Sequence, residues 1–421
     1  MNQEAHDPVI EGRLIICIAS SWDYDPTGKH HIMKRLARRN AVVWVNHHGL
    51  RRPRPNRSDA RGCIQTLRRV AGGARSIGPS MIQVTPMLLP GAASRVSRAI
   101  NQFLVTRQIH KAVRSMKNVA ARPVQVWSFA PDVPYLCGAF GEECFIYYCV
   151  DEHSEFEGVD RDRVSALERE TMLGADLVLT TSESLQSAKR GVRPDAVLVR
   201  HGVDFDHFSS AWRQHLEPPP DVASIPKPIF GFFGLIQHWV DIQLLARVAR
   251  LRPDYSFVLI GECRTGIDAL RSLPNVHVLG RRHYSSLPAY CAAFDAGLLP
   301  FKADALTRHV NPIKMYEYLA AGLPIVSTSL PEARRFVGPI VIADGAEPFA
   351  HACDRVIRNQ DPEKRMRISG WVENETWDAR VEELSELVMR RIEGQHETVS
   401  RRKAEVLPWP LPNRNPALAG R

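Results

Sequence analysis

The chain has 421 residues, of which 44% are hydrophobic and 24% are charged. At roughly 100–200 residues per domain this length predicts two or three domains, and the composition excludes disorder for most of the chain. The net charge of +9 is uneven. The segment from Lys29 to Arg122 holds 20 Lys and Arg against one acid, Asp59, so it carries +19 and the rest carries −10. This asymmetry predicts an anionic partner, and a solvated basic face is the simpler alternative.

The spacing of the cysteines and the length of the apolar runs indicate the cellular compartment in which the protein works. The eight cysteines include no C-x-x-C pair and no zinc-site spacing, which predicts free thiols in a reducing compartment. Residues 1–13 lack the apolar core of a signal peptide. No run reaches about 18 apolar residues, the length that a membrane-spanning helix needs. We therefore expect a cytoplasmic protein that is soluble or attached peripherally to a membrane.

Short apolar runs alternate with helical stretches along residues 1–205, the first predicted domain. The runs predict buried strands at Leu14–Ala19, Ala41–Asn46, Met81–Thr85, Val124–Phe129, Cys144–Val150, Leu177–Thr180 and Ala196–Val199. Helices are predicted at Thr27–Arg39, Ser94–Met116, Val133–Ala139, Arg161–Leu173 and Ser184–Arg190. The basic, Pro-rich residues 49–62 are predicted to be a loop or mobile arm.

The alternation resumes after a Pro-rich stretch, residues 206–228, which predicts an irregular linker. In the second domain, residues 229–393, strands are predicted at Ile229–Gly234, Ser256–Gly261, Val276–Leu279, Ala296–Pro300 and Pro324–Ser327, and helices at Asp241–Leu251, Pro312–Ala321 and Asp378–Ile392. The last helix is expected to pack back toward the first domain, and residues 394–421 to be a disordered tail. The pattern predicts an α/β fold of two Rossmann-like domains facing a cleft.

The segment His309–Gly322 (HVNPIKMYEYLAAG) is the most informative. Asn311 suits the N-cap of a helix and Gly322 its C′ position, so the helix begins at the cleft, where its N-terminus attracts phosphate. Lys314 and Glu317 share a face. They are candidates for binding a diphosphate and the hydroxyls of a ribose, and the alternative is a surface ion pair. Gly234 and Gly261 each end a predicted strand, where glycine lets backbone approach a ligand.

In chain order, GFFG, FVLIGE, VHVLGRR, LPAYCAAFDAGLLPF and NPIKMYEYLAAGLPIVST resemble the nucleotide-sugar half of GT-B glycosyltransferases of the bacterial exopolysaccharide and teichuronic-acid type. More distantly, the chain resembles the membrane-associated glucuronosyltransferase of xanthan biosynthesis. The resemblance spans Ile10 to Ile392. It implies that Gly234 and Lys314 lie near the donor diphosphate, Arg282 near the base and Glu317 at the ribose.

His309 departs from the family pattern. Many retaining relatives have a glutamate eight residues before the position of Glu317, and His309 stands there in this chain. The change puts the retaining mechanism in doubt and favours inversion at the anomeric carbon. We expect His309 to face the diphosphate or the sugar, and a loop histidine without a role is the alternative.

A candidate base follows the strand Cys144–Val150. Asp151, Glu152 and His153 come directly after it, so they are predicted at the carboxyl edge of the first sheet, facing the cleft. Sugar transfer to a hydroxyl needs a group that accepts its proton. Asp151 matches the base position that the resemblance implies, with Glu152 and His153 as second choices and a turn-capping aspartate as the alternative.

Two further features concern the cleft and metals. His201 and Gly202 end the last predicted strand of the first domain and are expected beside the cleft. The D-x-D triplets at Asp23 and Asp204 are short enough to arise by chance, and no G-x-G-x-x-G or Walker A motif is present. We therefore expect no metal and no cofactor, with the nucleotide sugar acting as a substrate.

The basic helices of residues 1–205 suit an anionic lipid surface, so the first domain is predicted to face the membrane and to be the acceptor-binding domain. The function predicted is transfer of a sugar from a UDP-type donor to a lipid-linked or polysaccharide acceptor on the inner face of the cell membrane. The alternatives are a UDP-sugar epimerase of the same fold and a non-catalytic scaffold. No nucleic-acid partner is expected, because two Rossmann-like halves are not a groove-reading fold. The donor sugar, the acceptor, the stereochemistry and the oligomeric state stay open.

Overall fold

The structure is a computed structural model that describes residues 10–47, 57–89, 94–119, 121–214, 216–358 and 362–405. It contains two sheets, each covered by helices on both faces. The predicted α/β class with two Rossmann-like sheets is therefore confirmed.

The first sheet has eight strands in the order β3-β4-β2-β1-β5-β6-β7-β8. They are β1 (Leu14–Ala19), β2 (Ala41–Asn46), β3 (Arg75–Gly78), β4 (Met81–Val84), β5 (Val124–Ser128), β6 (Cys144–Cys149), β7 (Leu177–Thr180) and β8 (Val197–Leu198). All neighbours are parallel except β3, which forms an antiparallel pair with β4. The predicted strands are present, whereas β3 is short, polar and partly exposed, so no apolar run marks it.

The helices of this half are α1 (Gly28–Leu36), α2 (Arg57–Gly72), α3 (Arg95–Arg114), α4 (Arg161–Gly174), α5 (Glu183–Arg190), α6 (Phe205–Arg213) and α7 (Pro220–Ala223). Three predictions were wrong. The helix expected at Val133–Ala139 is a single turn at Pro134–Leu136, since Gly138 adopts a left-handed φ of +78°. Residues 57–62 are helical rather than a loop, and 49–56 lie outside the described residues. The linker contains α6 and α7, so it is not wholly irregular.

The second sheet has six parallel strands in the order β11-β10-β9-β12-β13-β14. They are β9 (Ile229–Phe233), β10 (Ser256–Ile260), β11 (Val276–Gly280), β12 (Ala296–Leu299), β13 (Ile325–Ser327) and β14 (Ile340–Ile342). Around them lie α8 (Ile242–Leu251), α9 (Asp268–Arg271), α10 (Leu287–Ala293), α11 (Ile313–Ala320), α12 (Ala346–Ile357) and α13 (Pro362–Gly370), and the chain continues into α14 (Trp377–Glu405).

Both sheets are wound in two directions from their first strand. The strand order reverses between β1 and β5 in the first sheet and between β9 and β12 in the second. In open α/β sheets, ligands bind outside the carboxyl ends of the strands at such a point. The topology therefore predicts a ligand site where these two edges face each other.

Helix α14 returns to the first domain after the second sheet is complete. The amide of Val203 donates to the carbonyl of Glu375, and the amide of Trp377 donates to the carbonyl of Val203. Beyond this crossing the helix buries an apolar stripe in the core beneath β1, β2 and α1, comprising Trp377, Val381, Leu384, Val388 and Ile392. Burial of this stripe removes apolar surface from water and holds the helix there. Residues 394–405 continue α14, so the disorder predicted for them was wrong, and 406–421 lie outside the described residues.

Candidate functional site

Two adjoining cavities lie in the cleft at the carboxyl edges of the two sheets. The first, called the donor cavity after the nucleotide-sugar site that the sequence predicts there, has a volume of about 390 Å³. It is lined mainly by the second domain and includes Gly234, Gly261, Arg282 and Glu317. The central cavity, of about 300 Å³, has walls from both domains and includes Asp151. Lys314 and Thr27 line both cavities. Their sizes fall in the range of small-molecule sites.

Two glycines allow the ends of β9 and β10 to lie against the Lys314 side chain of α11 in the donor cavity. Gly234 follows β9 with φ of +128°, and Gly261 follows β10 with φ of +151°. A Cβ atom on Gly234 would lie 1.9 Å from Cε of Lys314, and one on Gly261 would lie 1.8 Å from the carbonyl oxygen of Gly234. Only glycine fits at Gly234 because the Lys314 side chain runs across the end of β9, and only glycine fits at Gly261 because the carbonyl of Gly234 approaches it closely.

Lys314 and Glu317 lie in the first and second turns of α11 and are largely enclosed. Burial lowers the pKa of Lys314, although Glu317 and Asp25 oppose the shift. Burial raises the pKa of Glu317 to about 7, against the effect of Lys314. Within the described part of the chain neither side chain makes a hydrogen bond or an ion pair shorter than 4 Å. Buried polar groups normally have partners, so this pair is suited to a polar ligand.

The start of α11 differs from the prediction. The helix begins at Ile313 with Pro312 in the N-cap position, and no side chain caps it. Asn311 instead donates its side-chain amide to the carbonyl of Thr181 in the first domain, at 2.9 Å. Its Oδ1 atom has no hydrogen-bond partner within the described residues, and the residue lines the central cavity. The first N–H groups of α11 are therefore free to face a ligand.

Two arginines line the donor cavity away from α11. Arg282 pairs with Asp221 at 2.6 Å and donates to the hydroxyl of Tyr290 at 2.8 Å. Arg281 pairs with Asp25 of the first domain at 2.7 Å. The second ion pair joins the two domains beside the cavity, whereas the first fixes Arg282 against α7 and α10.

Asp151 lies in the wall of the central cavity, where the sequence predicted a base. Burial raises the pKa of its carboxyl group to about 6, while Lys29 opposes the shift and Glu152 adds to it. A carboxylate with a pKa near neutrality is well matched to accept a proton from a hydroxyl.

Lys29 is a cleft residue that the sequence analysis missed. It is the second residue of α1 and lines the central cavity with Asp151. Burial lowers its pKa, and the charge of Asp151 raises it. Gly28-Lys29 begins a helix soon after a buried strand, and this arrangement could have drawn attention to it, as it did for Lys314.

Glu152 and His153 do not lie among the residues that line either cavity. Glu152 pairs with Lys189 at 2.8 Å, and Lys189 pairs with the buried Glu168 at the same distance. His153 is 6% exposed, both its ring nitrogens lack partners within the described residues, and burial lowers its pKa to about 4. These placements argue against either residue as the base.

The remaining predicted residues are two histidines and a glycine. His201 lines the central cavity, and burial lowers its pKa to about 3. Gly202 packs against the backbone of Thr376, where a Cβ atom would meet main-chain atoms at 2.8 Å. His309 accepts a hydrogen bond on its carbonyl from the Ser182 hydroxyl at 2.7 Å and is absent from both cavity walls. Nδ1 of His309 has no hydrogen-bond partner within the described residues, so its expected contact with the diphosphate or the sugar stays a prediction.

Among the described residues there is neither a three-ligand metal cluster nor a helix that could span a membrane. In those ranges no three His, Cys, Asp or Glu side chains converge as metal ligands. Asp23 pairs with Arg75 at 2.6 Å, and Asp25 pairs with Arg281, so arginines occupy both carboxylates of the first D-x-D triplet. None of the described helices has the length and apolar character needed to cross a membrane.

Comparison with known proteins agrees with this geometry. The model of the family described as "Glycosyl transferases group 1" matches residues 227–359, which contain the donor side of the site. A putative teichuronic acid biosynthesis glycosyltransferase, TuaH of Bacillus subtilis (strain 168), is 26% identical over 267 residues. That match covers 58% of this chain and 66% of the relative, a little under two thirds of its length.

Solved structures share the fold across the whole chain. Anabaena HepE in complex with UDP and glucose aligns with a TM-score of 0.56 at 15% identity, covering 92% of this chain and 100% of that one. The UDP-forming α,α-trehalose-phosphate synthase of Burkholderia vietnamiensis aligns with a TM-score of 0.61 at 13% identity, covering 89% and 96%. Together with the facing Rossmann-like sheets, these matches show a two-domain fold of the GT-B type, in which residues 227–359 match the model of the group 1 glycosyl transferases.

Proposed function

We propose that this enzyme transfers a sugar from a UDP-type nucleotide sugar to a hydroxyl of a lipid-linked saccharide at the cytoplasmic face of a membrane. One observation carries the donor assignment. Lys314 and Glu317 are enclosed and unpaired within the described residues, and they sit between the N-terminus of α11 and two strand-end glycines. Related structures, HepE in complex with UDP-glucose and an E. coli protein bound with UDP-2-fluoro glucose, support a uridine nucleotide.

Groups on the two sides of the cleft have different roles in the proposed reaction. Asp151 accepts the proton of the acceptor hydroxyl as its oxygen attacks the anomeric carbon, and the bond from that carbon to the diphosphate breaks. Negative charge then grows on the leaving diphosphate, where Lys314 and the free N–H groups of α11 stabilise it. Glu317 accepts hydrogen bonds from the ribose hydroxyls. No protein group needs to form a covalent bond to the sugar, which is consistent with inversion.

The exposed face of α3 supports the membrane location. This α3 surface carries apolar side chains in its first half, namely Val96, Ile100 and Phe103, with 69%, 41% and 60% of their area exposed. Its second half carries exposed Arg107, His110, Lys111 and Arg114 on the same face. Apolar side chains enter the interface of a bilayer while basic ones bind anionic headgroups, each contributing about 1 kcal/mol.

The membrane location is tested by co-sedimentation with vesicles. Wild-type protein should bind anionic vesicles at low salt, bind zwitterionic vesicles weakly and detach as salt is raised. Phe103→Ser should weaken binding, whereas Leu173→Ser, which alters an equally exposed leucine on α4, should not. Absence of binding to anionic vesicles at low salt would contradict the membrane location and leave the transfer reaction unaffected.

The donor assignment is tested by calorimetry with UDP, GDP and ADP. We expect micromolar binding of UDP, weaker binding of the other two, and loss of UDP binding in Lys314→Ala. Lys302→Ala is a matched control, because Lys302 is an exposed lysine of the same domain outside both cavities. Equal binding of all three nucleotides, or none, would overturn the assignment.

A further inference from the structure

Two lysines from opposite domains meet in the central cavity. Lys29 is the second residue of α1, and Lys314 is the second residue of α11. Both side chains line the cavity of about 300 Å³, and so do the residues that begin each helix. Neither helix has an acidic residue in its first turn. Two helix N-termini and two ammonium groups therefore face one enclosed space, and each favours an anion there.

The charges of this cavity are not balanced by the protein. Asp151 is the one acidic residue in its described wall. Neither Lys29 nor Lys314 makes a hydrogen bond or an ion pair shorter than 4 Å within the described residues. If Lys29 served only as a counter-ion for Asp151, a direct contact between the two charges would be expected. An enclosed ammonium has three donors to satisfy, so a ligand atom is the fitting partner.

Polar groups around the lysines point to a ligand independently. His201 is 7% exposed and Asn311 is 3% exposed, and both line the same cavity. Nδ1 of His201 and Oδ1 of Asn311 have no hydrogen-bond partner within the described residues. His201 comes from the first domain and Asn311 from the second, so the unsatisfied groups, like the lysines, surround the cavity from both sides.

We propose that Lys29 of the first domain and Lys314 of the second bind the same donor diphosphate, so that the nucleotide sugar bridges the domains. This inference rests on the proposed function and extends it, because it assigns a diphosphate contact to the acceptor-binding domain. Since Lys29 also faces Asp151, the bridge brings the leaving group and the base to one point.

The test compares UDP with uridine by calorimetry, measuring the weak uridine binding through displacement of UDP. Lys29→Gln should weaken UDP binding by about 10- to 150-fold, the range for one charge-assisted contact, and change uridine binding by less than threefold. Uridine has no phosphate, so its binding also reports that the variant is folded. Lys34→Gln, which alters an exposed lysine of the same helix, should leave both affinities unchanged.

The outcomes separate this inference from the proposed function. If Lys29→Gln binds UDP within twofold of wild type while Lys314→Gln loses it, the bridge is overturned and the donor assignment stands. If Lys29→Gln loses UDP and uridine equally, the residue acts on folding and the bridge is overturned as well. If wild-type protein binds no UDP, the proposed function itself fails.

Discussion

Replacing Gly234 by alanine tests the donor cavity at its tightest point. The new Cβ atom would lie 1.9 Å from Cε and 2.5 Å from Nζ of Lys314, so the lysine side chain must swing away from the end of β9. Losing one charge-assisted hydrogen bond to the diphosphate costs about 1.5–3 kcal/mol, which corresponds to roughly 10- to 150-fold in UDP affinity. The φ of +128° adds backbone strain of about 1–3 kcal/mol to the folded state.

The assay is UDP calorimetry together with urea denaturation. Gly280→Ala is the matched control, because Gly280 ends β11 with φ of +73° and a Cβ atom there meets nothing within 4 Å. It should lose stability through its backbone and keep UDP affinity within threefold of wild type. Gly234→Ala with wild-type UDP affinity would refute the reasoning, since Lys314 could then not be holding the diphosphate from its present position.

Two further predictions concern the first domain. Asp151→Asn should lower kcat by about 10²–10⁴-fold with UDP affinity unchanged, and wild-type kcat/KM should fall below about pH 6, where the Asp151 carboxylate becomes protonated; an acid limb that persists in a residually active Asp151→Asn enzyme would contradict its role. Lys189→Met leaves Glu152 and Glu168 without their shared cation and should cost about 3–5 kcal/mol of unfolding free energy in urea. Lys227→Met breaks an exposed pair with Asp295 and should cost at most about 1 kcal/mol; similar losses in the two variants would show that the buried network is not special.

Some secondary-structure predictions succeeded because they depend only on residues that are neighbours in the sequence. The first strands of both domains, Leu14–Ala19 and Ile229–Phe233, are fully apolar and were read from composition alone. The left-handed φ at Gly322 follows from its place after the last helical residue of α11. By contrast, β3 is mostly polar and β14, although apolar, has only three residues, so neither is predicted from the sequence and their neighbours in the sheet define them.

Long-range contacts decided the rest of the site. Asn311 has the side chain of an N-cap, yet its amide donates to Thr181 of the other domain, 130 residues away in the chain. Glu152 and Asp151 are adjacent carboxylates that sequence cannot rank. In the structure Glu152 forms an ion pair with Lys189, whereas Asp151 lies in the wall of the central cavity. The partner of each of these side chains depends on which residues, distant in the sequence, the fold places beside it.

The sequence by itself determined the two Rossmann-like sheets, because apolar periodicity is a property of neighbouring residues, and it located the donor helix through Lys314, Glu317 and Gly322. Only the tertiary structure brought Lys29 to the same cavity as Lys314 and joined the Asn311 side chain to Thr181 of the first domain. The physical reason is that burial sets both the pKa of a charged group and its need for a partner. A residue in the cleft is buried by both domains together. Its burial therefore cannot be predicted from the sequence of either domain alone.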